Sequence, residues 1–201
     1  AINTEDRKLY GTINTGTGQS QININSTGPG AFTTTVNSQS TLGDTITVSN
    51  SGNVDSIQSL LDIVGNGADI LLIDDSASTV GKATAQLTAV AIKNLSPADI
   101  DYSGLAALTI KLGTAPYTFT LSDTSAPTTL DLGSAGDTAI VDITDNSASS
   151  LAINTAAASS TINVLEMTTA GTIDSVTGST DTINVGNAGV VDNINGLLTI
   201  T

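Results

Sequence analysis

Short apolar pairs alternate with clusters of small polar residues at a nearly constant interval. Pairs such as Leu151/Ile153 are separated by one residue, which is the period of a strand with one buried and one exposed face. Gly, Ser, Thr, Asn and Asp fill the intervals, as is typical of turns. The apolar positions recur every 9 to 11 residues, at Ile110, Phe119, Leu130, Ile140, Leu151, Ile162, Ile173, Ile183 and Ile194. This pattern predicts an all-β protein of very short strands.

Two all-β architectures fit this spacing. In a parallel β-solenoid, each coil of roughly twenty residues would contain two strands and stack on the coil before it. An antiparallel β-sandwich, the alternative, also places a strand about every 8–12 residues. The solenoid is favoured because aromatic residues make up only 2% of the chain and Asn-Gly hairpin signals occur only at 66–67 and 195–196.

One segment, near 78–104, departs from the regular spacing. We expect an irregular excursion there, with strands near Gln86–Ile92 and Leu105–Leu112. Ser96 followed by Pro97 is compatible with the start of a helical turn and equally with a plain loop.

The chain contains a long internal duplication. Residues 13–63 match residues 153–200, and twelve of the twenty positions in 44–63 are identical to those in 181–200. The offset is 140 positions at the start of the match and 137 at its end. The sequence is therefore interpreted as a single domain, 1–201, that carries about 1.4 copies of a 137–140-residue repeat.

The duplication has a consequence for assembly, because a solenoid coil needs a neighbour on each side to bury its apolar residues. A chain that begins and ends in matching phases of one repeat is expected to join copies of itself head to tail, or to be a slice of a longer array. The alternative is an old duplication within a monomer. The predicted contact residues at the two ends are Ile2, Arg7, Lys8, Leu197, Leu198 and Ile200.

Composition excludes several classes of function. The chain has 5 Lys and Arg against 19 Asp and Glu, a net charge of −14, which argues against binding to nucleic acid or to an anionic membrane surface. Without cysteine it has no thiolate metal site or cysteine nucleophile. Its apolar runs are too short to insert into a bilayer. The adjacent Asp74 and Asp75 would point to opposite faces of a strand, so we expect no carboxylate pair and no enzymatic activity.

Three segments in the middle of the chain resemble a known type of repeat. They are "DILLIDDSASTVGKATAQLTAVAI", "IDYSGLAALTIKLGTAPYTFTL" and "TTLDLGSAGDTAIVDI". The order is similar to that of long repeats in very large bacterial surface proteins and adhesins, where a "VDDSGD" segment precedes "ITYSGLEALTINLGSG", Gly-Asp turns and "VDGIQGLLTI". The resemblance covers roughly residues 43–200. It implies a secreted or surface-anchored β-solenoid with a structural or adhesive role.

Calcium is the candidate cofactor. The Gly-Asp turns resemble a degenerate form of a repeat in which aspartate carboxylates bind Ca²⁺ between stacked coils, and the candidate ligands are Asp44, Asp137 and Asp181. The alternative is that these aspartates cap turns through hydrogen bonds to their own backbone.

Together these features predict a structural subunit or repeat of an extracellular cell-surface filament, sheath or adhesin, which assembles end to end with copies of itself. The alternative is a monomeric surface module, stabilised by calcium, that binds carbohydrate or a host or cell surface. Such a module would use exposed aromatic side chains, and the chain offers Tyr10, Phe32, Tyr102, Tyr117 and Phe119.

Overall fold

The chain folds as a β-solenoid, which confirms the predicted all-β class and the parallel coil; the β-sandwich alternative is wrong. The computed structural model describes residues 2–3, 10–134, 136–143, 149–156 and 158–201. The helical turn considered at Ser96 is not formed, and residues 94–98 make a bend. No helix long and apolar enough to cross a membrane occurs among the described residues.

Seventeen strands are present in the described residues, and most have only four residues. Their bounds are β1 Ile2–Asn3, β2 Gly11–Asn14, β3 Gln21–Ile24, β4 Thr34–Asn37, β5 Thr45–Val48, β6 Leu61–Asp74, β7 Ala85–Leu87, β8 Ala91–Lys93, β9 Ile100–Lys111, β10 Thr118–Leu121, β11 Thr128–Asp131, β12 Thr138–Ile143, β13 Leu151–Asn154, β14 Thr161–Met167, β15 Gly171–Asp174, β16 Thr182–Val185 and β17 Leu198–Ile200.

The strands stack into two ladders, and successive strands alternate between them. Ladder A contains β1, β3, β5, the end of β6, the end of β9, β11, β13, β15 and β17. Ladder B contains β2, β4, the start of β6, the start of β9, β8, β7, β10, β12, β14 and β16. The two long strands, β6 and β9, pass from ladder B to ladder A.

Apolar side chains form continuous columns inside the coil. One column in ladder A runs through Ile24, Val48, Ile73, Ile110, Leu130, Ile153, Ile173 and Ile200. The members from Ile24 to Ile173 are at most 1% exposed. Partners in neighbouring coils are about twenty residues apart at Leu108 and Thr128, but 27 apart at Thr34 and Leu61. Burial of these stacked aliphatic side chains is the main stabilising term of the fold.

Residues 78–104, where an irregular excursion from regular winding was predicted, contain two antiparallel pairings that belong to ladder B. The expected single strand at 86–92 is instead a hairpin of β7 and β8, with a turn at residues 88–90. Strand β8 runs antiparallel to the start of β9, and β7 pairs in parallel with β10. The hairpin therefore adds two strands to ladder B and keeps it continuous, because β7 again runs in the direction of the parallel strands.

Candidate functional site

A buried aspartate connects two coils where the chain turns from ladder B to ladder A. Asp44 directly precedes β5 and is 1% exposed. Its Oδ1 atom accepts a hydrogen bond from the backbone N–H of Ser20, which directly precedes β3 in the coil below, at 2.7 Å. Its Oδ2 atom accepts hydrogen bonds from the hydroxyls of Thr15 at 2.7 Å and Ser38 at 2.9 Å. We call this arrangement the Asp44 corner.

The duplicated sequence builds the same corner a second time. Asp181 directly precedes β16, and its Oδ1 atom accepts the N–H of Ser160, which precedes β14, at 2.7 Å. Its Oδ2 atom accepts the hydroxyls of Ser175 at 2.7 Å and Ser179 at 2.8 Å, and Thr155 adds a further hydrogen bond. We call this arrangement the Asp181 corner. Asp181 and Ser175 are the duplicates of Asp44 and Ser38 at an offset of 137. Ser160 and Thr155 are the duplicates of Ser20 and Thr15 at an offset of 140.

The pKa values of Asp181 and Asp137 are shifted in opposite directions. Partial burial acts to raise the pKa of Asp181, but its hydrogen bonds outweigh that effect and hold the pKa below the usual value. Asp137, which precedes β12, accepts the N–H groups of Tyr117 at 2.8 Å and Gly133 at 2.6 Å. Burial raises the pKa of Asp137 in spite of these two bonds. Each of these two carboxylates accepts one backbone N–H of the preceding coil, from Tyr117 for Asp137 and from Ser160 for Asp181.

The three predicted calcium ligands each form hydrogen bonds within a separate corner. Asp44, Asp137 and Asp181 lie in three separate corners, and the structure brings no two of them together. Among the described residues, no group of three or more Asp, Glu, His or Cys side chains is arranged to hold a metal ion. The alternative interpretation, that these aspartates cap turns, fits better, although their partners include the backbone of the neighbouring coil. A calcium site at these residues stays a prediction.

Asp69 is a member of the Asp44 corner that the sequence did not single out. It belongs to the next coil and is fully buried. Its Oδ1 atom accepts the N–H of Asp44 at 2.6 Å and lies 2.9 Å from the Ser38 hydroxyl, which shares its single proton between Asp44 and Asp69. Its Oδ2 atom accepts the N–H of Asn66 at 2.9 Å. The coil that follows thus caps the Asp44 corner with a second carboxylate. The available sequence signal was the duplicated set of corner hydroxyls, which is more informative than the Gly-Asp pairs.

The matching segments of the two copies differ in whether a further coil stacks on them. In the first copy, residues 44–63 are covered by the coil that follows, through β6 and β9. In the second copy, residues 181–200 form part of the last described coil, and β16 and β17 have no pairing partner beyond β14 and β15 among the described strands. The same residue types are therefore buried in one copy and exposed in the other: Val48 0% and Val185 39%, Val54 0% and Val191 57%, Ile63 0% and Ile200 51%.

The residues predicted to form the end contacts are partly exposed, partly buried and partly outside the described residues. Leu197 and Ile200 are 76% and 51% exposed, whereas Leu198 is half-buried and packs against the core. Ile2 is in β1 and pairs with Ile22 in ladder A. Arg7 and Lys8 lie outside the described residues. The exposed surface of residues 181–200 is called the last-coil face below, and it is the strongest candidate for a functional surface.

Matching segments do not occupy the same ladder. Strand β5 lies in ladder A, but its duplicate β16 lies in ladder B. The start of β6, residues 61–64, lies in ladder B, and its duplicate β17 lies in ladder A. One repeat therefore ends in the ladder opposite to the one in which it began. The chain crosses between the ladders an odd number of times within one repeat.

The aromatic side chains divide into buried and exposed sets. Tyr102, Tyr117 and Phe119 are at most 2% exposed, and the Tyr117 hydroxyl donates to the buried Asp75 carboxylate at 2.7 Å. Burial raises the pKa of both Tyr117 and Asp75. Tyr10 and Phe32 are 42% and 56% exposed, and their ring centroids are 4.5 Å apart. Only these two are placed to contact a ligand on the surface.

Comparison of the chain with protein-family models, with curated proteins and with solved structures gives no match.

Proposed function

We propose that the protein is a structural repeat or subunit of an extracellular cell-surface filament, sheath or adhesin, and that it assembles end to end by stacking coils. The resemblance of residues 43–200 to repeats of large bacterial surface proteins supports the location and the mechanical role. The last-coil face supports the mode of assembly. Its chemistry is the non-covalent pairing of strand edges and the burial of aliphatic side chains.

One observation carries this proposal. Val185, Val191 and Ile200 are exposed, while the duplicated residues at 48, 54 and 63 are completely buried by a further coil. Val185 is the last residue of β16 and Ile200 the last of β17, so both lie at the open backbone edges of the last described coil. Exposed apolar side chains beside unpaired strand edges are the usual mark of an interaction surface. In the first copy the matching residues are buried by the coil that follows, which supports another solenoid coil as the partner of this set.

The charge of the chain directs the growth of such an assembly. With a net charge of −14, neighbouring solenoids repel each other along their sides. Attraction is therefore expected at the ends, and in the last described coil exposed apolar side chains adjoin the open edges of β16 and β17. A heterologous end contact that does not close into a ring extends into a rod.

We expect the protein to form rods whose length increases with protein concentration. The double substitution Leu197→Asp with Ile200→Asp places two charges on the last-coil face and is expected to abolish rods, because the charges would be buried without partners. Negative-stain microscopy and light scattering after size exclusion would measure the length. Val90→Asp is the matched control, because Val90 is 62% exposed in the β7–β8 hairpin, away from this face.

Two results would contradict end-to-end assembly through this face. One is a single monomeric species for the unmodified protein and for the Val90→Asp control at every concentration. The other is rod growth by the double variant at the same rate as the unmodified protein, which would place the contact elsewhere.

The second candidate function, carbohydrate binding, is favoured by the exposed pair of Tyr10 and Phe32. Aromatic faces are the usual platform for the apolar face of a sugar ring, and these two rings adjoin each other. If the pair binds a glycan, Tyr10→Ala and Phe32→Ala are each expected to lower the affinity at least about tenfold, the loss of one such contact. A glycan array followed by calorimetry would measure it. Leu42→Ala, at a residue 71% exposed, is the control, and equal affinity in all variants would remove this candidate.

A further inference from the structure

The partner of the last-coil face can be described more closely, on the assumption that the protein assembles by stacking coils. We infer that this partner is a coil of the same repeat, turned by half a revolution about the solenoid axis. Its aspartate at the position of Asp69 caps the Asp181 corner. Its strand at the position of residues 70–73 pairs with β16 in ladder B, although residues 70–73 themselves lie in ladder A.

The half revolution follows from the exchange of ladders. Each strand of the second copy occupies the ladder opposite to that of its duplicate, as β16 does relative to β5 and β17 relative to the start of β6. The winding direction is the same in both copies, because the other pairings are parallel and the two antiparallel pairings of β8 cancel. A rotation of half a turn about the solenoid axis, combined with a translation along it, exchanges the two ladders and keeps the winding direction. Any coil that continues the repeat must follow the same operation.

The covering coil of the first copy specifies the contacts of the partner. Backbone bonds join Ile70 N–H to the Asp44 carbonyl at 2.9 Å, Ala77 N–H to the Gly52 carbonyl at 2.7 Å, and Ala98 N–H to the Ile57 carbonyl at 3.1 Å. The duplicates of these three acceptors, on the last-coil face, are the carbonyls of residues 181, 189 and 194. A partner with donors at the same spacing would therefore meet a matching row of acceptors.

A carboxylate is the chemical group that completes the Asp181 corner. In the first copy, Asp69 accepts the N–H of Asp44 and contacts the Ser38 hydroxyl. The duplicated donors are the N–H of Asp181 and the hydroxyl of Ser175, which already bonds the Asp181 carboxylate as Ser38 bonds Asp44. The order of residues 66–73, Asn-Gly-Ala-Asp followed by Ile-Leu-Leu-Ile, supplies this carboxylate directly before an apolar strand. The partner is thus recognised by an aspartate that precedes a strand.

The test is a tandem chain in which residues 65–201 follow Thr201 directly. The protein has no cysteine, so pairs of introduced cysteines report which strands are neighbours. Thr47 pairs with Leu72 in the first copy, and Asn184 is the duplicate of Thr47. We expect a disulfide between Asn184→Cys of the first unit and Leu72→Cys of the appended unit to form almost completely, because paired residues of adjacent strands meet the geometric limits of the bond.

The matched control pairs the same Leu72→Cys of the appended unit with Thr199→Cys in β17, which lies in ladder A. This pair forms a disulfide only if the appended coil stacks without the half revolution. Crosslinking of the Thr199 pair in preference to the Asn184 pair, or of neither pair, would overturn the inference. In the Asn184-linked tandem, Asp69→Ala in the appended unit is expected to speed hydrogen exchange at the Asp181 amide about tenfold or more, the loss of one charge-assisted hydrogen bond. An unchanged exchange rate would contradict the carboxylate cap.

The result is separable from that of the rod-growth experiment. Rods from the unmodified chain combined with an unlinked tandem would support end-to-end assembly and reject the half-turn partner. A linked tandem combined with a monomeric unmodified chain would support the half-turn partner and reject assembly of separate copies.

Discussion

Replacement of Asp44 by alanine is expected to lower the free energy of unfolding by about 3–5 kcal/mol, since buried donors that lose an acceptor cost about 1–3 kcal/mol each. The substitution leaves the N–H of Ser20 and the hydroxyl of Thr15 without the carboxylate they contact at 2.7 Å. Ser38 retains a contact with Asp69, which limits the loss. Removal of one of two neighbouring carboxylates also relieves some repulsion, so the effect stays below the sum of three broken bonds. Urea denaturation followed by far-ultraviolet circular dichroism would measure it.

Asp181→Ala is the matched control for Asp44→Ala, because the duplicated corner supplies the same hydrogen-bond chemistry without a covering coil. Water replaces the lost acceptor at a half-buried residue, so we expect a loss of about 1 kcal/mol or less. Hydrogen exchange would locate the change in the Ser160 amide and in residues 175–185. It would leave the Asp44 corner unaffected, because coils of a solenoid interact mainly with their neighbours. Equal destabilisation by the two substitutions would contradict the role given to the covering coil.

The architecture could be predicted from the sequence because it depends on local periodicity. Alternation in pairs such as Ile162/Val164 fixes which side chains point inward, and equal spacing fixes the stacking of one coil on the next. Ile140 is an exception: its side chain points outward, in register with Thr120 and Asn163, whereas Ala139 is buried. A strand that contains Ala-Ile-Val has apolar residues on both faces, so periodicity alone does not identify the buried face.

The assignment of strands to ladders could not be predicted from the sequence. It depends on the number of crossings between one copy of the repeat and the next, and the segment from 75 to 104 contains the hairpin of β7 and β8 within a single crossing. A count of the intervals between apolar positions assumes that the chain changes ladder at every interval. The count is wrong here, because the chain stays in ladder B through β7, β8 and the start of β9. The ladder exchange between β5 and β16 therefore requires the pairing of strands that are distant in sequence.

The corner chemistry was predictable only in part. The sequence identified Asp44, Asp137 and Asp181 as carboxylates with a specific role, and the structure places each directly before a strand. It did not identify the donors, because the N–H groups of Ser20 and Tyr117 carry no signal in residue type. The contribution of Asp69 was also hidden, since its partner lies in the preceding coil. A role that depends on stacking is seen only when the register between coils is known.

Gly133→Ala is expected to lower the free energy of unfolding by at least about 3 kcal/mol, at the upper end of the usual cost of overpacking. A Cβ atom at residue 133 would overlap the carbonyl oxygen of Gly113 in the coil below. The new Cβ atom is fixed to the backbone of residue 133, and the atoms it overlaps are backbone atoms of Gly113. No side-chain rotation can therefore relieve the overlap, and the two coils must separate. Separation lengthens the bond from the Tyr117 N–H to the Asp137 carboxylate, which joins the same pair of coils. The transition midpoint in urea would report the loss.

Gly16→Ala distinguishes this steric effect from the general effect of removing a glycine. Gly16 also lies in a corner between two strands, but a Cβ atom there would meet no atom within 4 Å and its φ is not positive in the left-handed range. We expect stability within about 0.5 kcal/mol of the unmodified protein, or slightly higher, because alanine reduces the entropy of the unfolded chain. If Gly133→Ala is tolerated as well as Gly16→Ala, the coils are not held at backbone contact distance in this corner. The packing of Gly133 on Gly113 would then not be a determinant of the spacing between coils.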